Sequence, residues 1–390
     1  MYNKLMENSK RVNSIEPSKS ISLSAKIAEL KKLGEDIIGL NVGEPDFATP
    51  APIIQATIAA LKDNETRYSL VQGLDQLREG IAYYLNKKYT LNANKDHILL
   101  GNGSKHILYL IFQTLLNDGD EVIIPSPYWV TFPESVKLAG GVPRFVETKK
   151  NFQLDLKTIE EAITKKTKAI LINTPNNPTG AVYNAEDLQG VVDLAEKYDL
   201  KIISDEAYEI LTYNKVKHVN ISSLSEVAFQ RTLTVQSFSK SFCMTGFRIG
   251  YLCAEKSFID DVNKLQGHLS GNNCTFAQYG ALEALRLDAG LIRILTKELE
   301  TRMKLAHELF SEFFPIQKPD GAFYLFPDVS DLIKKLGLKG SEELSLYLLE
   351  KAKVAILPGI AFGMENHLRI SFAQSREEII EAHKRIKAIL

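Results

Sequence analysis

The sequence comprises 390 residues, of which 45% are hydrophobic and 24% charged, and its formal net charge is -1. This length is too great for one ordinary hydrophobic core and predicts two lobes of unequal size. A charge balance this close to zero argues against nucleic acid or an anionic membrane as a partner.

The cysteines and the N-terminal segment predict a soluble protein of the cytoplasm. Cys243, Cys253 and Cys274 are odd in number and form no CxxC pair, which argues against a disulfide framework. Residues 1–17 are polar and lack the apolar run of a secretory signal. Polar residues and two glycines interrupt the apolar stretch at 98–116, so it predicts strand, turn and buried helix rather than a membrane span.

From about residue 97, short apolar runs alternate with amphipathic stretches. The runs predict strands at 98–101, 121–124, 168–173, 201–204, 232–235 and 249–253, and the stretches at 104–116 and 185–198 predict helices. Near-continuous apolar strands separated by helices are typical of a mainly parallel sheet that is covered on both faces. In such a sheet, polar residues just after the strand ends face the ligand crevice.

After about residue 290 the pattern changes to that of an α+β lobe. Residues 292–314 predict a long charged helix, and shorter strands follow at 322–326, 354–356 and 367–372. The first forty-odd residues lack clear patterning and are expected to join this smaller lobe. We therefore expect an N-terminal segment of the small domain at 1–50, a large domain at 51–290 and the rest of the small domain at 291–390.

A lysine between hydroxyl residues follows the predicted strand at 232–235. Ser237 and Ser239 flank Lys240, and Arg248 comes eight residues later. Serines and a guanidinium are suited to binding a phosphate dianion, and a desolvated lysine near an arginine has a lowered pKa. The pattern fits either a Schiff-base lysine beside a phosphate site or an ordinary solvated lysine at a sheet edge.

Three other polar segments follow predicted strands, and each has a plain structural interpretation as well. Asp205 is either a helix N-cap or a carboxylate that keeps a pyridine nitrogen protonated, with Tyr208 three residues later. Segment 173–180 consists of turn formers, although an Asn side chain there could enter the crevice. Segment 101–105 is neither a P-loop nor a dinucleotide fingerprint, but a helix N-terminus reached through glycines favours anions.

Together these segments resemble the class I aminotransferases of pyridoxal-phosphate (PLP) fold type I, and within them the short, thermophile-type bacterial aspartate aminotransferases. The similarity extends from about Pro17 to the C-terminus, and Cys243 departs from the family signature, which usually has a smaller or aliphatic residue there. The matching motifs are GEPDF at 43–47, Tyr68, PYW at 127–129, NNPTG at 176–180, SDE at 204–206, SFSK at 237–240, RIG at 248–250, GAFY at 321–324, PG at 358–359 and RIS at 369–371.

The resemblance implies an α/β protein of PLP fold type I, with a mainly parallel seven-stranded sheet between helices and a smaller α+β domain. It also implies pyridoxal 5′-phosphate as the cofactor and no metal. Lys240 would bind the cofactor covalently and shuttle a proton during catalysis. Asp205 would pair with the pyridine nitrogen, Asn177 and Tyr208 would hydrogen-bond the phenolate oxygen, and Trp129, which alone would suggest core packing, would stack on the ring.

The resemblance further assigns the phosphate site and the substrate site. The phosphate would be bound by backbone amides and side chains at Gly103, Ser104, Lys105, Ser237, Ser239 and Arg248. Tyr68 would reach the phosphate of the neighbouring subunit, which implies a homodimer with shared sites. Arg369 would bind the substrate α-carboxylate, assisted by the backbone of Gly43 and by Asn177.

The reaction implied is transamination between L-aspartate and 2-oxoglutarate, giving oxaloacetate and L-glutamate. The second carboxylate of these substrates needs a cation, for which the family uses a lysine matching Lys105 with a hydroxyl residue matching Ser18 or Ser20. The same pair occurs in relatives that transaminate prephenate, so prephenate or an aromatic amino acid is an alternative substrate. A PLP β-lyase is a further alternative, as is a non-enzymic regulator, although only about forty residues precede Gly43.

Overall fold

The structure is a computed structural model that describes residues 8–17 and 19–390, with all of their side chains except those of residues 19–22 and 24. Its strands are β1 (Ile38–Gly39), β2 (Ile98–Gly101), β3 (Glu121–Ser126), β4 (Val142–Glu147), β5 (Thr167–Asn173), β6 (Lys201–Asp205), β7 (Thr232–Ser237), β8 (Gly250–Cys253), β9 (Tyr324–Leu325), β10 (Val354–Ala355), β11 (Leu357–Pro358) and β12 (Leu368–Ser371).

Helices fill most of the chain between the strands. They are α1 (Lys10–Asn13), α2 (Lys19–Lys32), α3 (Ala51–Lys62), α4 (Asp75–Tyr89), α5 (Ser104–Leu115), α6 (Thr131–Leu138), α7 (Leu156–Glu161), α8 (Ala185–Lys197), α9 (Glu226–Arg231), α10 (Phe238–Ser241), α11 (Lys256–Leu269), α12 (Thr275–Ala284), α13 (Ala289–Phe310), α14 (Ser330–Leu336), α15 (Ser341–Ala352) and α16 (Arg376–Lys387). Within the described ranges no helix is long and apolar enough to cross a membrane.

The main sheet has seven strands in the order β2-β8-β7-β6-β5-β3-β4. All neighbouring strands are parallel except for β8, which runs antiparallel to both β2 and β7. The central strands are buried along almost their whole length because helices cover both faces of the sheet. The predicted mainly parallel sheet of an α/β protein is therefore confirmed. Strand β4 was missed, because it is a largely exposed edge strand with little apolar continuity.

The register of the sheet brings several strand ends to one edge, which we call the carboxyl edge. Asn173 at the end of β5 pairs with Asp205 at the end of β6. Ser237 at the end of β7 lies opposite Gly250, where the antiparallel strand β8 begins, and Gly101 at the end of β2 pairs with Gly250 from the other side. Polar residues from β5, β6 and β7 and glycines from β2 and β8 consequently meet at this edge.

The C-terminal part of the chain forms two small sheets packed against helices. Strands β11, β12 and β9 make an antiparallel sheet, and β1 pairs in parallel with β10. Their core includes residues of α13, α15 and α16, and it also contains Ile38 and Leu40 from the N-terminal segment. Ile38 and Leu40 thus pack with the C-terminal lobe, while the expected division into domains at residues 50 and 290 stays a prediction.

Candidate active site

Lys240 lies just beyond the carboxyl edge, on the short helix α10 that follows β7. Its Nζ donates a hydrogen bond of 2.5 Å to the backbone carbonyl oxygen of Gly43. Burial lowers the pKa of Lys240 to about 8. The charges of Arg248 and Arg369 lower it as well, whereas the charge of Glu44 opposes this effect. This is a partly desolvated amine and not a freely solvated lysine, so it can act as a nucleophile or a base near neutral pH.

Asp205 ends β6 with its side chain buried, 3% exposed. One carboxylate oxygen accepts a hydrogen bond of 3.2 Å from the backbone N–H of Ala207, but residues 206–210 form turns instead of the helix that an N-cap would begin. The pKa of Asp205 is raised to about 7, mainly by burial and further by the charge of Glu206. The hydrogen bond from the Ala207 N–H opposes this rise. No cation of the described chain compensates this carboxylate, so it is suited to a cationic ligand group.

Arg369, on β12, is also buried and lacks a carboxylate partner among the described residues. Its guanidinium donates to the side-chain oxygen of Asn177 at 3.0 Å and to the backbone oxygen of Asn41 at 2.9 Å. The guanidinium carbon lies 4.2 Å from the ring centroid of Tyr324 and 5.0 Å from that of Phe362. Its Nε is buried without a hydrogen-bond partner in the described structure. Such a guanidinium is held in place yet free to bind an anion.

Tyr208 connects the Asp205 segment to Arg369 through a second tyrosine. The hydroxyl groups of Tyr208 and Tyr324 are 2.9 Å apart, and burial raises the pKa of both phenols. Both hydroxyls are therefore neutral hydrogen-bonding groups. No role was predicted for Tyr324, although it lies within the GAFY motif; the signal in the sequence was an aromatic hydroxyl at the start of a short buried strand.

The N-terminus of α5 and Arg248 form an anion cradle. Arg248 donates from one guanidinium nitrogen to the backbone oxygen of Asn102 at 3.2 Å and from the other to that of Thr245 at 2.9 Å. Gly103 has a φ of +81°, and a Cβ there would lie 2.6 Å from Arg248 Nη2, so both the backbone and the close approach require glycine. Ser237 lies at the neighbouring strand end and accepts a hydrogen bond from the Ser239 N–H. Free N–H groups at a helix start and a guanidinium can together bind a phosphate.

Lys105 follows the start of helix α5 and contacts Trp129. Lys105 Nζ is 5.2 Å from the ring centroid of Trp129, an attractive cation–π distance. Desolvation, followed by the charge of Arg248, lowers the pKa of Lys105. Lys105 also lines a cavity of about 780 Å³, together with Glu16, His106, Tyr109, Tyr128 and Arg248.

Among the described residues, one predicted site residue stays outside this site in the single chain. Tyr68 is 98% exposed. Ser18 and the side chain of Ser20 lie outside the described residues, so their predicted role near Lys105 stays a prediction. In the part of the chain that the structure describes, no group of three or more His, Cys, Asp or Glu side chains could hold a metal ion.

Comparison with known proteins gives full-length matches. Residues 35–386 match the family model for aminotransferase class I and II. The chain is 44% identical to a probable aspartate/prephenate aminotransferase of Aquifex aeolicus, covering 97% of this chain and 98% of that protein. It is 40% identical to an aspartate aminotransferase of Bacillus subtilis, covering 98% of each. The fold matches an aspartate aminotransferase of Thermus thermophilus with maleate at a TM-score of 0.94 and 36% identity, covering 99% of this chain and 100% of that one.

Proposed function

Because this chain belongs to the class I and II aminotransferases, whose cofactor is pyridoxal 5′-phosphate, we propose that it transfers the amino group of L-aspartate to 2-oxoglutarate. The observation that carries the proposal is a pair of cations around the Lys240 and Arg248 region: the charge of Arg369 lowers the pKa of Lys240, and the charge of Arg248 lowers the pKa of Lys105. Arg369 is buried and has no carboxylate partner among the described residues, while Lys105 lies over Trp129. Two cations match the two carboxylates of both substrates.

The residues present fit this cofactor. Asp205 is a buried carboxylate without a cation, as a protonated pyridine nitrogen requires. Gly103 leaves the room beside Arg248 that a phosphate cradle needs. In the proposal, Arg248, Ser237, Ser239 and the amides at 103–105 hold the phosphate. Tyr208 and Asn177 bind the ring oxygen, and Trp129 covers one ring face. The bound cofactor supplies a carbonyl that takes up amino groups and a ring that accepts electrons from the substrate α carbon.

Lys240 has two roles in this proposal, attachment of the cofactor and proton transfer. Its Nζ anchors the cofactor before the substrate arrives, and afterwards it accepts the proton from the substrate α carbon and returns it later in the transfer. A pKa of about 8 leaves part of the amine neutral at physiological pH, so the same atom can take up and release a proton. The Gly43 carbonyl, which accepts from Nζ, orients the amine without neutralising its charge.

The substrate is held at both ends. Arg369 binds the α-carboxylate in a planar, two-point arrangement, because Asn177 and the Asn41 carbonyl fix its plane. Lys105, with Ser20, binds the second carboxylate. Prephenate is proposed as a second substrate because the similar protein of Aquifex aeolicus is a probable aspartate/prephenate aminotransferase.

We also propose a homodimer in which Tyr68 reaches the phosphate of the neighbouring site, and a cytoplasmic location based on composition. The support for the dimer is a set of exposed apolar side chains near Tyr68 in the sequence. Ile54, Ile58, Leu61 and Leu70 are between 41% and 57% exposed in the single chain. An apolar surface of this kind is typical of an interface with another protein. Sedimentation velocity at micromolar concentration tests it, and a monomer that retains full activity would contradict it.

A panel of amino donors with 2-oxoglutarate tests the proposed reaction. L-aspartate should give the highest kcat/KM among donors, with L-glutamate formed in equal amount to oxaloacetate. Prephenate should be tested as an acceptor with glutamate or aspartate as donor, and its turnover would establish the second substrate. Release of pyruvate and ammonia in the absence of any 2-oxo acid would instead indicate a β-lyase. The Lys240→Ala variant serves as the blank for each assay.

A further inference from the structure

A second carboxylate, that of Glu206, is completely buried directly after Asp205 in the chain. It accepts hydrogen bonds from four side chains. Ser204 Oγ donates to Oε1 at 2.8 Å, and Oε2 receives the side-chain N–H groups of Asn220 and Gln236 and the Nε2 of His218, each at 2.9 Å. The proposed mechanism uses none of these residues.

The donor set shows that Glu206 is held as a carboxylate. Asn220 Nδ2 and Gln236 Nε2 only donate, so Oε2 has no room for a proton of its own. Gln236 is oriented by Tyr251, whose hydroxyl donates to the Gln236 side-chain oxygen. Because Oε2 only accepts, the proton of His218 must lie on Nε2. The arrangement therefore fixes a negative charge inside the protein.

This charge is not neutralised by a Lys or Arg. Among the described residues the basic group that contacts it is the imidazole of His218, whose other ring nitrogen is buried without a hydrogen bond. Glu209, three residues later, is a matched contrast, because it is equally buried but pairs with Lys88 and also accepts from Tyr84 and Tyr89. The charge of Glu206 raises the pKa of Asp205, whereas Glu209 is not among the groups that shift it, so Glu209→Gln serves as a control that removes an equal charge elsewhere.

We propose that Glu206 is a positioning residue of the reaction, whose fixed charge behind Asp205 strengthens the hold of the site on the protonated pyridine nitrogen of the cofactor. The inference rests on the proposed function, because it presumes that Asp205 meets that nitrogen. Two adjacent buried carboxylates repel each other, and a cationic ring nitrogen relieves the repulsion. Glu206 does not contact the cofactor. Its negative charge acts through Asp205 and through the electrostatic potential at the ring nitrogen.

The experiment compares two ligands on the cofactor-free protein. One is pyridoxal 5′-phosphate, and the other is its analogue in which carbon replaces the ring nitrogen, so that the ring cannot carry the positive charge. Dissociation constants for both are measured by fluorescence titration of wild type, Glu206→Gln and Glu209→Gln, with thermal unfolding to record stability. The quantity compared is the preference, defined as the affinity for the cofactor divided by the affinity for the analogue.

We expect wild type to prefer the cofactor and Glu206→Gln to lose on the order of tenfold of that preference, since one unit charge near the nitrogen has been removed. Glu209→Gln should lose stability but keep the wild-type preference. If Glu206→Gln weakens both ligands equally, or neither, the network only supports the fold and the proposal is overturned.

Glu206→Asp keeps the proposal testable even if Glu206→Gln does not fold. It retains the charge while its shorter side chain gives up hydrogen bonds, so it should lose stability but keep the preference. Loss of the preference in Glu206→Asp would show that shape and not charge matters. Asp205→Asn tests separately whether Asp205 meets a protonated ring nitrogen. If wild type and Asp205→Asn both show no preference, it does not, and the proposed cofactor site is wrong.

Discussion

Arg369 Nη1 donates to the side-chain oxygen of Asn177 at a distance of 3.0 Å, which links strand β12 of the C-terminal lobe to the segment after β5 of the main sheet. Together with the hydrogen bond from Arg369 Nη2 to the Asn41 carbonyl, this contact fixes the plane of the guanidinium. A binding group that is already fixed loses little conformational entropy when a ligand arrives. This fixed orientation supports the proposal that Arg369 binds the α-carboxylate and that Lys105 binds the second carboxylate.

Substitution of the two cations should separate dicarboxylate recognition from amino-acid recognition in general. Loss of a charged hydrogen bond costs about 1.5–3 kcal/mol, which is roughly tenfold to a hundredfold in kcat/KM. Arg369→Ala should reduce kcat/KM for every donor, because all of them carry an α-carboxylate. Lys105→Ala should reduce it for aspartate and 2-oxoglutarate while sparing alanine and aromatic donors. An aspartate-to-alanine ratio that Lys105→Ala leaves unchanged would show that only the backbone of Lys105 is used.

The lowered pKa of Lys240 predicts how the cofactor-free protein captures its cofactor. Only the neutral amine attacks a carbonyl, so the capture rate should rise with pH and level off above about 8. Stopped-flow absorbance measures this rate, and Lys240→Ala should neither capture the cofactor covalently nor turn over substrate while keeping its fold by circular dichroism. A rate that continues to rise towards the ordinary lysine pKa of about 10.4 would contradict a desolvated amine.

The electron-accepting state of the ring should depend on Asp205. Asp205→Asn keeps the shape of the side chain, but an amide cannot hold the pyridine nitrogen protonated. We expect bound cofactor, detected by absorbance, together with a loss of several orders of magnitude in kcat. A variant within about tenfold of wild type, which corresponds to only ~1.4 kcal/mol of barrier, would remove Asp205 from the mechanism.

The same carboxylate should destabilise the protein when the cofactor is absent. The pKa of Asp205 is about 7 in the folded chain, compared with an ordinary value of 3.8. The folded state therefore keeps a proton that the unfolded state releases, and this contribution to stability is lost as pH rises through that interval. Asp205→Asn abolishes the dependence. When the cofactor-free proteins are unfolded in urea, the free energy of unfolding of Asp205→Asn relative to that of wild type should therefore increase between about pH 5 and about pH 8. A constant difference would argue against a raised pKa.

The main sheet could be predicted from the sequence because its strands are continuously apolar and each is followed by polar residues. The strands that lead to Asp205 and Lys240 follow this pattern. Strand β4 could not be found in this way, because most of its residues are exposed at the sheet edge. Helices α3 and α4 were likewise not identified; α3 starts at a proline-containing segment without a side-chain cap.

The polar groups around the site were only partly predictable. Residues in family motifs, such as Lys240 and Arg369, were named in advance, whereas the contact between Tyr208 and Tyr324 joins residues that are 116 positions apart. No local pattern encodes such a pairing. The partners of Glu206 were missed for the same reason, since His218 and Gln236 come from a loop and a neighbouring strand and meet only in the folded chain.

The most direct test of the account is to identify the lysine that carries the cofactor. The purified protein should be yellow, and reduction with borohydride should fix the cofactor irreversibly to one side chain. Peptide mapping by mass spectrometry is predicted to find the reduced adduct on Lys240, whose buried amine is influenced by the charges of both Arg248 and Arg369. An adduct on a different lysine, or a colourless protein that forms none, would contradict the central claim.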